Sequence, residues 1–199
     1  MQEVIRKFKE EMEGMSIPPA SLESQEWFEE KISSMTSPIN RRALQSEALR
    51  LQGIKAPHIG RMYTFFYQPE GMFTLPYYDM FPVIFLIEIK REYFQGLNLH
   101  YLPTDLKSEF YRQVLQRANK QELDRQTFLR IPYDHLKSFR KYRAFRPCFK
   151  TYRLDNVRGR IVNIPSSEWE IVMNLPTAMW RKSSEKRVHT DSRRIYRNS

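Results

Sequence analysis

The sequence predicts an α+β fold: a small antiparallel sheet or barrel (about 60–102 plus 157–164) wrapped by helices, with N-terminal helices before it and an extended basic C-terminal arm after it. Three observations carry this expectation. Residues 83–87 form a continuous apolar run of strand length. Three strand-like stretches follow one another within about 40 residues, the spacing of a compact antiparallel sheet. Apolar residues before position 52 recur instead at helical spacing. A chain of 199 residues suits one domain with extensions. The expected division is 1–56, an N-terminal helical extension; 57–180, an α+β core; and 181–199, a basic C-terminal arm.

Val4, Ile5, Phe8, Met12 and Met15 predict a first amphipathic helix ending near Gly14. The segment SIPPAS is a break, after which Phe28, Ile32 and Met35 predict a second helix over 24–35. Ser37 as cap and Pro38 in the first turn open a third, with Leu44, Ala48 and Leu51 on one face and Gly53 as its stop. The aromatic stretch RMYTFFY reads as a strand ending in the turn QPEG. Residues 83–89, preceded by Pro76 and Pro82, read as a strand buried on both faces. A third strand over 93–102 would put Leu97, Leu99 and Tyr101 on one side and Asn98, His100 and Leu102 on the other.

Pro103-Thr104 then opens a helix to about Lys120 through Leu106, Phe110 and Val114, and a further helix is predicted over 133–143. Residues 157–164 read as another strand. Ser167 with Glu170 forms the pattern of a capping box opening a short helix that stops at Pro176. The last eighteen residues lack apolar periodicity and are expected to be an extended arm; no internal repeat is found.

Composition narrows the function. With 13 Phe, 11 Tyr and 3 Trp the chain can build a core, and its longest apolar run is far short of the roughly 18 residues a membrane span needs. Acidic residues in MQEVIRKFKEEMEGM interrupt what a secretory signal would keep apolar, so no export is expected. A single cysteine, Cys148, excludes an internal disulfide framework and a cysteine-based zinc cluster; it reads as a small core residue. The formal charge of +10 is unevenly placed. Residues 1–35 hold four basic and eight acidic side chains, 139–160 eight basic and one acidic, and 181–199 seven basic and two acidic. A basic C-terminal third suits phosphates or an acidic protein surface, and charge alone does not choose between them.

One pattern points to catalysis. Asp79 with Glu88-Ile89-Lys90 resembles restriction-type nuclease sites, where carboxylates hold magnesium and a lysine helps position the attacking water. Against it, E-x-K arises by chance in charged chains, and a strand ending in alternating charge is ordinarily leaving the core. His58, His100, His135 and His189 lack metal-ligand spacing, and His100 suits a structural hydrogen bond. No G-x-S-x-G, Walker loop or dinucleotide fingerprint occurs, so no catalytic residue, metal or cofactor is assigned and the chain is not expected to be an enzyme.

Within 139–160, Arg140, Lys141, Arg143, Arg146, Lys150, Arg153, Arg158 and Arg160 interleave with Tyr142, Phe145, Phe149 and Tyr152. Arginines would grip phosphates and aromatics would stack on exposed bases, although helical spacing also explains Phe139, Tyr142 and Phe145 as core. The tail adds Arg181, Lys182, Lys186, Arg187, Arg193, Arg194 and Arg197. These fifteen cations are the candidate DNA- or partner-binding residues.

The segments GRMYTFFYQPE, LPYYDMFPVIFLIE, YFQGLNLHYLP and FRPCFKTYRLDNVRGRIVNIPSSEWEIVMNLP resemble a family of small virion proteins of T-even-like tailed bacteriophages known as DNA end protectors. The resemblance covers about residues 60–180; residues 1–52 and those after 181 lie outside its motifs. It implies a non-enzymatic protein, made in the host bacterial cytoplasm and added to the virion. There it would bind packaged DNA ends at the head or head-tail channel, so that the genome survives host exonuclease on injection. Implied partners are DNA and phage virion proteins of the portal, neck, tail or baseplate, with no membrane. Two other readings stand beside it: a structural assembly component of neck, tail or baseplate without specific DNA contact, and a magnesium-dependent nuclease.

Overall fold

The computed structural model describes residues 2–16, 23–24, 26–27, 30, 57–103, 106–107, 109–111 and 137–198. Helix α1 (Gln2–Gly14) buries Phe8 and Met12, one turn apart, while Met15 stays exposed. Phe8 meets Trp27 edge-on at 5.7 Å. Residues 23, 24, 26, 27 and 30 are helical, as predicted for the second helix; the third predicted helix lies outside the described residues. Of the helix predicted after Pro103, residues 106–107 and 109–111 are described and helical, with Phe110 and Tyr111 buried.

The strands are β1 (Met62–Tyr67), β2 (Tyr78–Asp79), β3 (Val83–Ile89), β4 (Tyr93–Asn98), β5 (Phe149–Arg153), β6 (Val157–Ile164) and β7 (Trp180–Arg181). Five of them form one antiparallel sheet in the order β5-β4-β3-β1-β6, and β2 pairs with β7 separately. Helix α2 (Trp169–Asn174) follows β6, and α3 (Glu185–Asn198) closes the chain. Alternation along β3 serves two cores, because successive side chains point to opposite faces. Val83, Phe85 and Ile87 join the helix-covered core with Phe110, Phe139, Trp169 and Val188. Ile84 and Leu86 join the second with Tyr63, Phe65, Tyr67, Phe94 and Tyr152.

The connection between the two edge strands sets the shape. In a flat five-stranded sheet the outer strands stand four spacings of about 4.8 Å apart, about 19 Å. The four steps from Arg153 to Val157 cover at most about 14 Å even when extended, and Leu154–Asn156 is a 3-10 turn, which is shorter still. The sheet therefore curls. Tyr152 of β5 meets Phe65 and Tyr67 of β1 at 5.1 and 4.9 Å, although β4 and β3 lie between them in the sheet. The Tyr67 hydroxyl also accepts from the Arg153 amide at 3.2 Å. The edges approach without pairing, so the architecture is a curled sheet and no barrel closes.

Three expectations are corrected in detail, and one strand was not foreseen. The strand predicted over 93–102 ends at Asn98, whose side chain accepts from the His100 amide at 2.9 Å and starts a 3-10 turn, Leu99–Tyr101. Where a helix was expected to 143, residues 137–138 are helical and give way to 3-10 turns at Phe139–Lys141 and Arg143–Cys148, the second containing Pro147. Strand β5 was hidden inside the basic run. The tail is no extended arm: α3 packs on the 143–148 turn through fully buried Val188, and His189 Nε2 lies 3.0 Å from the His100 carbonyl oxygen.

The expected capping box is altered as well. The buried Glu170 carboxylate accepts from the Ser24 hydroxyl at 2.5 Å, tying α2 to the N-terminal segment; the Ser167 side chain lies outside the described ones.

Candidate nucleic-acid interface

The polar residues singled out as candidates for catalysis occupy different ends of the sheet. Asp79 is buried beside Asn98, which pairs with Ile84, whereas Glu88 pairs with Gln95. These positions are four residues apart along β3, about 13 Å. Glu88 bonds Lys90 at 2.8 Å on the surface, and that hydrogen bond holds its carboxyl below the usual range. Among the described residues, no group of three or more histidine, cysteine or acidic side chains is placed to hold a metal.

Asp79 instead anchors a closed network. One oxygen accepts from the Phe81 and Met179 amides, both at 3.0 Å; the other lies 2.6 Å from His100 Nδ1. His100 Nε2 reaches the Thr177 hydroxyl at 3.0 Å, and Asn98 donates to the Tyr152 hydroxyl at 3.0 Å. Burial alone would raise the Asp79 pKa, but His100 and the two amides outweigh it and hold it low. The order carboxylate, imidazole, hydroxyl is one that activates nucleophiles. Here all three side chains are buried, and the network joins β2, the 99–101 turn and the 177–179 segment into one piece. Cys148 is also buried, which pushes its thiol pKa up and makes it the core residue expected.

The cations divide by position. Arg140, Lys141, Arg143 and Arg146 are exposed on the two 3-10 turns, where Arg140 lies 5.0 Å over the Phe149 ring and donates to Gln95. Tyr142 stands among them, 56% exposed, whereas Phe139, Phe145 and Tyr152 are core and Phe149 is half-buried. Lys150 turns inward: its ammonium sits 3.8 Å over the Tyr101 ring and burial lowers its pKa, so it is removed from the candidate surface. Arg153 is engaged by Asp155 at 2.8 Å and by Glu70 at 3.9 Å. Arg158 donates to Gln68 and the Asp155 carbonyl, and Arg160 is exposed. Gly159 between them has φ 81°, a left-handed conformation that glycine accommodates. It lies where β6 carries two extra residues opposite β1, a bulge that re-aims the flanking arginines.

Helix α3 brings together cations that the sequence left on an arm. At about 100° per residue, Lys186, Arg187, Thr190, Arg193 and Arg194 fall within about 120° of its circumference. Glu185 and Asp191 fall outside this arc, and Val188 and Ser192 face the core. Lys141, Arg143, Arg146, Arg160, Lys186, Arg187 and Arg194 form no ion pair among the described residues. Helix α3 packs on the 143–148 turn, so the elements that carry the two basic groups are neighbours in the fold. Arg181 and Lys182 precede the helix, both exposed, and the Arg197 side chain lies outside the described ones.

No curated protein and no solved structure matches the chain. A family model does, and its match extends beyond the central motifs to both terminal segments. Residues 4–199 match the phage T4 terminal DNA protecting protein, and the chain belongs to that family.

Proposed function

We propose that the chain protects packaged phage DNA by binding its ends directly, without chemistry on the DNA, through a cationic face composed of α3 and the 139–148 turns. The family supplies the protected object, a DNA terminus. The observation that supports this surface is the solvent arc of α3, with four cations and no acid, beside a second group of cations and exposed Tyr142. Such a face neutralises phosphates without reading sequence. Its place in the particle, on this reading, is the head or head-tail channel.

The test is equilibrium binding to a linear duplex across a salt series, with protection of the same duplex from a processive exonuclease measured in parallel. Affinity is expected to fall linearly on a log–log plot, with slope about −0.9 per phosphate neutralised, and base sequence to have little effect. Binding that is weak at low salt, with no protection, overturns this reading in favour of a virion assembly contact. Magnesium-dependent shortening of the duplex would favour the nuclease reading.

A further inference from the structure

Phe73 is the most exposed large hydrophobic side chain among the described residues, at 82%, and it stands on an ordered loop. The loop is closed by backbone bonds from Met72 to Pro69 and from Thr74 and Leu75 to Gly71. The Thr74 hydroxyl donates to the Gly71 carbonyl as well. Lys182 then clamps it from outside, donating to the Phe73 and Leu75 carbonyls at 2.8 and 3.2 Å. Lys182 itself has φ 63°, a left-handed backbone unusual for a residue with a side chain, so this clamp is held in place against local strain. A fixed loop with an apolar tip in water is a preformed contact awaiting a partner.

The charge around the tip says what kind of partner. Lys182 and Arg181 flank the loop, and it leads into Tyr77, whose hydroxyl is raised in pKa by burial and Asp191 and drawn back by Arg187 and Arg194. Asp191 and these two arginines of α3 thus act together on Tyr77, while the cations placed at the loop by contacts are Lys182, on its carbonyls, and Arg181, paired with Tyr78. Glu70, the acid of this loop, faces Arg153. An exposed aromatic ring with Lys182 at its base and Arg181 close by matches a phosphate chain that also offers a flat apolar face. Duplex DNA offers such a face only at its terminus, since every internal base pair is covered on both sides.

We infer that Phe73 stacks on the terminal base pair of a DNA end while Lys182 and Arg181 hold the adjacent phosphates. This rests on the DNA-end reading above and adds to it the element that tells an end from the interior of a duplex. The ring needs no refolding to act, because the loop is already closed and clamped.

The test compares one duplex with two open ends against the same duplex sealed by hairpin loops, at fixed salt, for the wild-type chain, Phe73→Ala and Phe73→Trp. Wild type should prefer the open duplex. Phe73→Ala should lose about tenfold in affinity for open ends, the scale of one base–aromatic stack, and nothing on the sealed duplex. Phe73→Trp should retain the preference, and 2-aminopurine at the terminal position should be quenched by wild type and not by Phe73→Ala. If wild type prefers open ends and Phe73→Ala does so equally, this inference falls while the DNA-end function stands. Equal losses on both duplexes also overturn it. If wild type shows no preference for open ends, the functional reading fails too.

Discussion

Asp79 accepts two backbone amides, an asparagine and a histidine while buried, so removing it leaves several polar partners stranded. Asp79→Ala is expected to cost about 3–5 kcal/mol, the range for breaking a buried pair, measured by denaturant unfolding. Its depressed pKa fixes the sign of a pH effect. The stabilisation is fully present above the unfolded carboxylate value, about 3.9, and is lost as pH falls through the lower folded value. Thermal unfolding should therefore show a loss of stability below about pH 4 that Asp79→Asn lacks. Gly96 offers a second test, since an added Cβ would lie 2.5 and 2.9 Å from Ile84 Cδ1 and Cβ. The Cβ cannot rotate away, so Gly96→Ala should destabilise by about 1–3 kcal/mol. Of this network the sequence showed His100, as a residue suited to a structural hydrogen bond, but not its partners. Asp79 reads there as half of a metal pair because its partners, His100 and the Met179 amide, lie 21 and 100 positions away.

Among elements, legibility followed how many apolar residues each one commits to the core. Strand β3 buries five consecutive side chains and was readable from them alone. Helix α3 commits fully buried Val188 and leaves Ile195 exposed, so its periodicity was too sparse to outweigh fourteen mostly polar residues. Strand β5 was obscured because Lys150 and Tyr152 share its inward-leaning side, mixing a cation into the alternation. The α3 docking yields a prediction of its own. Val188→Ala should cost about 1.5–3 kcal/mol, whereas Lys186→Ala on the opposite face should leave the denaturant midpoint nearly unchanged.

Across the whole molecule, the cations and the fold are separable. Replacing Lys186, Arg187 and Arg194 together with Gln should leave the melting temperature close to wild type, while reducing the salt slope of DNA binding by about 0.9 for each phosphate no longer neutralised. Deleting 183–199 should do both: lower the slope and lower the melting temperature, because it also uncovers the pocket of Val188 and removes the His189 bond to the 99–101 turn. The central motifs pointed to the family from sequence, and the family match then reached residues 4–199, past both segments that the motifs had left out. Those segments depend on packing against the centre, visible in the Ser24 bond to Glu170 and in α3 on the 143–148 turn, and such packing leaves little local signature.

The short link from Arg153 to Val157 also bears on solubility at high concentration. An open sheet has two rims of unpaired backbone groups, each able to recruit a strand from another molecule and start a fibre. Here one rim ends in Arg153 and the other is broken by the bulge at Gly159 with Arg158 and Arg160 on either side. The curl draws both rims together at one end, where the 3-10 turn and the Tyr67 hydroxyl bond to the Arg153 amide occupy backbone that a second chain would otherwise pair with. The bend that shapes the aromatic core thus also shortens the edge left open to strand-to-strand addition at that end.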